Sequence, residues 1–312
     1  MSDQKPSIET SLMDLSKADW LEAISEISEE DGYFLSLGKR HFASFIEAGP
    51  TLLVTFETFQ GIQVLSEKAQ PLGWEMLRDH QWSHLCLASD GDTWFRDEAI
   101  YRYFDRLVDD GFFDEFETVI FYGAGPCAYA AAAFSVSAPA ARVLAIQPQA
   151  TLDPRLTEWD DRFTDMRRVD FTSRYGYAPD MLDAAEAAFV LYDPRQRLDA
   201  MHAALFTRGN VTKLRMPNMG DALQTDLLDM GQLAPLLLAL AGGELDALRF
   251  AQLYQARRDY LPYLRNLLNL LGEARREGLL LLLCGNVTER MRAPRFQRTL
   301  NQLQAARQDR IA

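Results

Sequence analysis

Apolar and polar positions change rhythm along the chain. Between Ser11 and Ala48 apolar residues recur at helical spacing. The stretch WLEAISEIS, with Trp20, Leu21, Ile24 and Ile27 on one side, predicts a helix capped by Ser16 or Asp19. At Thr51 the rhythm breaks. TLLVTFET, preceded by Gly49-Pro50, is a continuous apolar run rich in β-branched residues, which predicts a buried strand. HLCLAS (His84 to Ser89) predicts a second, and Glu98 to Asp109 an amphipathic helix with Ile100, Tyr103, Phe104 and Leu107 inward. TVIFY (Thr118 to Tyr122) then runs into Gly123-Ala124-Gly125-Pro126 and an alanine-rich helix to Val136. RVLAI (142–146), AFVLY (188–192) and VTKL (211–214) complete the strands, with a helix from Leu198 to Phe206. From Leu223 onward the pattern is helical only. Apolar strands alternating with helices predict an α/β fold: a three-layer, mostly parallel sheet covered on both faces. Three parts follow: a helical N-terminal segment (1–48), the sheet domain (49–231) and a helical, arginine-rich C-terminal extension (232–312).

Charge sharpens this division. Of 312 residues, 32 are Lys or Arg and 45 are Asp or Glu, a formal net charge of −13. From Asp246 onward there are 12 arginines, no lysine and 6 acids, so the first 245 residues carry a net −19. The tail reads either as a basic helical segment docked on an acidic body or as an anion-binding surface. Arg292, Arg295 and Arg298 would then share one helix face. The acidic balance argues against nucleic acid as a partner. No apolar run approaches the ~20 residues of a membrane span, and MSDQKPSIETSLMDL lacks an apolar signal core. Cys86, Cys127 and Cys284 are too widely spaced for a disulfide framework or a zinc motif. A cytoplasmic protein is expected.

The corner TVIFYGAGPCAYAAAAFSV carries the densest chemistry. In a parallel sheet, ligands gather at the carboxyl ends of strands. Gly123, Gly125 and Ala128 fit G-x-G-x-x-A, a phosphate-binding turn at a helix N-terminus, with Gly123, Gly125 and Cys127 as the cofactor-binding corner. The acid that should hold the ribose at the end of the next strand is absent, since RVLAI leads into Gln147-Pro148-Gln149. The same corner fits a nucleophile elbow, G-x-S-x-G, with Gly125 at the nucleophile position and Cys127 at the final glycine.

The order of elements from Thr51 to about Gly231 resembles the α/β-hydrolase superfamily. That resemblance implies an acid after the penultimate strand, where Asp193 stands. It implies a histidine after the last strand, where the loop reads Met216-Pro217-Asn218-Met219-Gly220-Asp221 and the base position falls on Asp221 or Asn218. It also implies an oxyanion-hole backbone N–H near Thr58. Gly125, Asp193 and Asp221 then line a vestigial cleft. Serine hydrolysis needs a hydroxyl and a base to take its proton, and neither is present.

The whole chain also resembles bacterial proteins often labelled phosphoadenosine phosphosulfate reductase, through SHLCLASDGDTWFRD, AAAAFSV, QPQATLDPR and LYDPRQ with LDAMHAALF. The S-G-G-x-D-S loop and the E-C-G-[IL]-H motif of such reductases are missing, and Cys284 lies in LLCGN instead.

Other residues suit chemistry as well as packing. Cys127, in the first turn of its helix, is a candidate reactive thiol, with His202 as a conceivable base, although both also read as packing residues. Asp90, Asp92 and Asp97 suit either magnesium or an Asp-Gly turn before a helix. Trp94-Phe95 would anchor that loop. His41, His80 and His84 show no ligand spacing. Two function classes remain. One is a catalytically degenerate α/β-hydrolase-like protein that binds a small ligand or protein partner at the old cleft. The other is a nucleotide- or sulfonucleotide-binding oxidoreductase. The sequence specifies neither a cofactor nor a partner.

Overall fold

The computed structural model describes residues 6–309. Its eight strands are β1 (Gly32–Leu37), β2 (His41–Ile46), β3 (Thr51–Thr58), β4 (Ser83–Ser89), β5 (Thr118–Ala124), β6 (Arg142–Ile146), β7 (Ala187–Tyr192) and β8 (Val211–Arg215). They form one sheet in the order β1-β2-β4-β3-β5-β6-β7-β8. β2 is antiparallel to both neighbours, and all other pairs are parallel. This is the expected three-layer, mostly parallel α/β architecture.

The helices are α1 (Lys17–Ser28), α2 (Phe59–Leu65), α3 (Gly73–His80), α4 (Glu98–Asp109), α5 (Pro126–Phe134), α6 (Pro154–Thr157), α7 (Ala178–Met181) and α8 (Arg197–Leu205). They continue as α9 (Leu223–Asp229), α10 (Leu233–Ala241), α11 (Ala247–Leu253), α12 (Leu261–Glu273), α13 (Glu277–Arg290) and α14 (Pro294–Asp309). β3 and β4 sit at mid-sheet, and the side chains of β4 alternate between two cores. Leu52, Val54 and Phe56 pack with α4 and α5 residues such as Phe104 and Phe134. On the opposite face Cys86 and Ala88 of β4 pack with Trp20 of α1 and with Trp74 and Leu77 of α3.

The N-terminal reading needs correction. Ser16 caps α1 through a bond from the Asp19 backbone N–H, as expected. Residues 32–46, however, are not helical. They form β1 and β2, paired from Gly32↔Ile46 to Leu37↔His41. β2 is buried at all six positions, so no polar alternation marks it in the sequence.

The chain divides into two compact units, Met1–Leu253 and Tyr254–Ala312. The first holds the whole sheet. The second has its own core of Leu264, Leu268, Cys284, Val287 and Phe296. Arg295 and Arg298 lie on α14, but Arg292 precedes it, so the three arginines do not share one helix face.

Candidate functional site

The corner after β5 is built by backbone constraints. Gly125 adopts φ 59° and ψ −125°, a strained turn from strand to helix that glycine tolerates. Its N–H donates to the Ile146 carbonyl at 2.8 Å, and its own carbonyl accepts from Ala128 N–H at 3.0 Å. A Cβ at Gly125 would meet nothing within 4 Å, whereas one at Gly123 would lie 2.2 Å from the Cys127 carbonyl oxygen. Gly123 is therefore required by packing, and Gly125 by backbone conformation alone. Pro126 follows at the first helical position, where its fixed φ suits the helix. Proline has no N–H. In α/β-hydrolases the residue after the nucleophile donates one of the two oxyanion-hole bonds, and here that donor does not exist.

Asp193 is buried at the end of β7. Its Oδ1 accepts from Arg195 N–H at 2.8 Å and its Oδ2 from Gly220 N–H at 2.9 Å. The acid thus holds the loop after β8 directly, by backbone, with no imidazole between. Asp221 in that loop is exposed, and its backbone carbonyl accepts from the Gln147 side chain at 3.1 Å. Asn218 stands in the left-handed region at φ 67°. No histidine occupies positions 216–221.

Cys127 does not have the environment of a reactive thiol. It is buried, and burial pushes its pKa well above the ordinary value, with the Glu57 and Asp92 carboxylates pushing the same way. His202 is not its base. Its Nε2 is 2.9 Å from buried Asp160 Oδ2, and its Nδ1 accepts from Ala150 N–H at 3.1 Å. Both ring nitrogens are engaged, which fixes the neutral tautomer with the proton on Nε2. Asp160 is held well below the usual carboxyl range: its bonds from His202 and Arg162 outweigh the opposing effect of burial. This network ties residues 150–162 to α8.

The three acids of SDGDTWFRD separate. Asp90 pairs with Lys17 at 2.6 Å and accepts from Gln60 at 2.9 Å. Asp97 caps α4 by accepting from Ala99 N–H at 2.8 Å. Only Asp92 reaches the cleft described below. Trp94 and Phe95 are buried, as expected of anchors.

Beside the elbow opens a cavity of about 820 Å³. Ala124, Pro126 and Cys127 form one side, Glu57 and Thr58 at the end of β3 another, and Gln224 and Leu228 of α9 a third. Sequence reasoning missed Glu57. Its residue is only 8% exposed, and burial raises its pKa. Its hydrogen-bond donors are all neutral: Thr55 Oγ1 at 2.6 Å, Leu72 N–H at 3.1–3.2 Å and Cys86 Sγ at 3.7 Å. Thr55 Oγ1 also lies 2.9 Å from His84 Nε2. Because the Thr55 hydroxyl proton goes to Glu57, His84 Nε2 carries the proton of that bond. His84 is fully buried and its pKa is pushed down to about 3 by desolvation, so the ring is neutral. The signal available in the sequence was a lone acid in an otherwise uncharged buried strand, TLLVTFET.

Glu57, His84 and Cys86 place one ligand atom each within 4.8 Å of one another. Glutamate, histidine and cysteine are zinc donors. The Thr55 hydroxyl, however, bridges Glu57 and His84, so their facing atoms already satisfy each other through it.

No protein-family model matches the chain, and no curated protein matches it. Solved structures similar in fold include the Glycosylation Associate Protein (Gap123) complex from Streptococcus agalactiae, at 13% identity and TM-score 0.44. That match covers 66% of this chain and 45% of that one, so this chain spans less than half of its length. Est1E from Butyrivibrio proteoclasticus matches at 15% identity and TM-score 0.42, covering 67% of this chain and 98% of that one. Carboxyl esterase 2 from Tuber melanosporum matches at 13% identity and TM-score 0.39, covering 72% and 85%.

Proposed function

We propose that this chain is a catalytically degenerate α/β-hydrolase-like protein whose former active-site cleft binds a small ligand. The carrying observation is the pair Gly125-Pro126. The backbone of a nucleophile elbow is kept there, while the hydroxyl and the following oxyanion N–H are both gone. The base histidine is also missing after β8, and Asp193 holds that loop by itself. Each loss separately removes orders of magnitude from acyl transfer. The cavity beside the elbow measures about 820 Å³, within the range of small-molecule sites, and is lined by Pro126 and Cys127 but not by Gly125, Asp193 or Asp221.

The nucleotide or sulfonucleotide alternative fares less well. Gln147 stands where a ribose acid belongs, and the cavity wall carries Glu57, Glu67, Glu75 and Asp92, which repel phosphates. A thermal-shift panel of acyl esters, flavins, nicotinamides, nucleotides and sulfonucleotides tests the reading. A ligand at 100 times its Kd stabilises the fold by ~2.7 kcal/mol. A shift with an ester that is not consumed fits the proposal. A shift with adenine nucleotides, lost in Gly125→Asp, would replace it with the nucleotide reading.

A further inference from the structure

The cleft has a sign. Among the described residues no cationic side chain forms an ion pair with Glu57, Glu67, Glu75 or Asp92. Of the two cations on the same wall, Lys68 is committed to Glu9 at 3.2 Å. Arg78 donates to two neutral acceptors, Gln70 Oε1 at 2.7 Å and the Ile8 carbonyl at 3.1 Å, so its positive charge stays on the wall. The lining carries five carboxylates, Asp229 included, against two cations, a formal excess of negative charge that favours cations.

Glu57 differs from the other acids. Surface carboxylates are solvated and need no partner. A buried carboxylate without a counter-charge costs stability and is kept where it does something. Every donor to Glu57 is neutral, and none cancels its charge. Glu57 also lies on the cavity wall rather than sealed behind it. Phe56, Ile62, Leu65, Leu72, Leu228 and Pro126 supply the apolar part of a wall that is otherwise polar and charged. Next to the elbow, the space where a hydrolase carries its nucleophile side chain is open, since a Cβ at Gly125 would touch nothing within 4 Å.

We infer that the cleft takes an organic cation, a ligand with an apolar body and an ammonium or guanidinium group, and that the Glu57 carboxylate is its counter-charge. The inference rests on the reading of the cleft as a ligand site and adds the ligand's chemical class. The neutral donors hold the carboxylate in place and leave its charge for the ligand. The apolar wall covers the ligand's body. A metal ion at Glu57, His84 and Cys86 is the competing source of positive charge, and the bridging Thr55 hydroxyl disfavours it.

The test is calorimetric titration of the full chain with phenethylammonium and with agmatine. Phenylpropanoate and phenethyl alcohol serve as the anionic and neutral counterparts, and zinc chloride as the metal. The expected result is saturable binding of a cation, weakened about tenfold or more in Glu57→Gln and unchanged in Glu26→Gln, an exposed acid of α1 outside the cavity lining. The thermal unfolding midpoint of Glu57→Gln checks that the variant is folded. Binding of the anion or the alcohol without the cations would overturn the cation inference and leave the ligand cleft standing. Zinc binding that is lost in Cys86→Ser would overturn it in favour of a metal site. Absence of binding by any probe, here and in the broader ligand panel, would overturn the ligand-cleft reading as well.

Discussion

Two glycines two residues apart hold the elbow for different reasons, and substitution separates them. Gly125→Ala puts a Cβ into open space and costs only the backbone strain of a sparsely populated φ/ψ region, about 1–3 kcal/mol. Gly123→Ala drives a Cβ onto the Cys127 carbonyl and must move backbone, so it should cost about 3 kcal/mol, the upper end for overpacking. Urea denaturation of the two variants checks the order; equal losses would contradict the packing role of Gly123. Glu57 makes the opposite kind of prediction. Its pKa is raised by burial, so the folded chain holds its proton more tightly than the unfolded chain. Its contribution is then fully present below the ordinary carboxyl value of 4.5 and lost as pH rises through the raised value. Glu57→Gln should match the wild type near pH 4 and exceed it at pH 8, by about 2–4 °C in Tm if ~1 kcal/mol is recovered. A variant less stable at pH 8 would mean that the carboxylate serves the fold. At this scale Gly125 and Asp193 were legible because an elbow and a strand-end acid have fixed places in a motif. Glu57 was not, because the sequence marks a buried acid without saying that a cavity lies beside it.

At the scale of elements, the central strands declared themselves. β3, α4 and β6 fall where the apolar runs begin and end, because a strand buried on both faces leaves an uninterrupted run between polar turns. The hairpin of β1 and β2 escaped for a related reason. Phe34, Leu35, Leu37, Phe42, Phe45 and Ile46 recur at spacings that also fit a helix, and only pairing across Gly38-Lys39-Arg40 decides the matter. The small helices α2 and α3 were hidden too, since each is one or two turns held by tertiary contacts such as Trp74 and Leu77 against β4. Asp193 now links two elements, the end of β7 and the loop after β8, through Gly220 N–H. Asp193→Ala leaves two backbone donors without that acceptor and should cost about 1–3 kcal/mol. Hydrogen exchange should quicken at Arg195 and Gly220 and stay unchanged in β3. Uniform quickening across the sheet would instead mean that Asp193 supports global stability.

On the scale of the whole molecule, charge and chemistry point the same way. The unit Met1–Leu253 carries a formal −19 and Tyr254–Ala312 a formal +6. The sheet, the elbow and the cavity all belong to the acidic unit, whose field favours cations over phosphates at the cleft. On the proposed reading, that unit is a hydrolase-like scaffold with the strained corner at Gly125 but without the hydroxyl, the imidazole and one oxyanion donor. On that reading the missing groups act independently, so restoring one should not produce the reaction. The decisive measurement is the initial rate of p-nitrophenyl acetate hydrolysis by the wild type and by Gly125→Ser, whose side chain enters open space. The account predicts no turnover above buffer in either protein, because Pro126 and the histidine-free loop remain. Catalytic turnover by the wild type would contradict it outright, and enzyme-like turnover by Gly125→Ser would show that the missing donor and base are supplied from elsewhere.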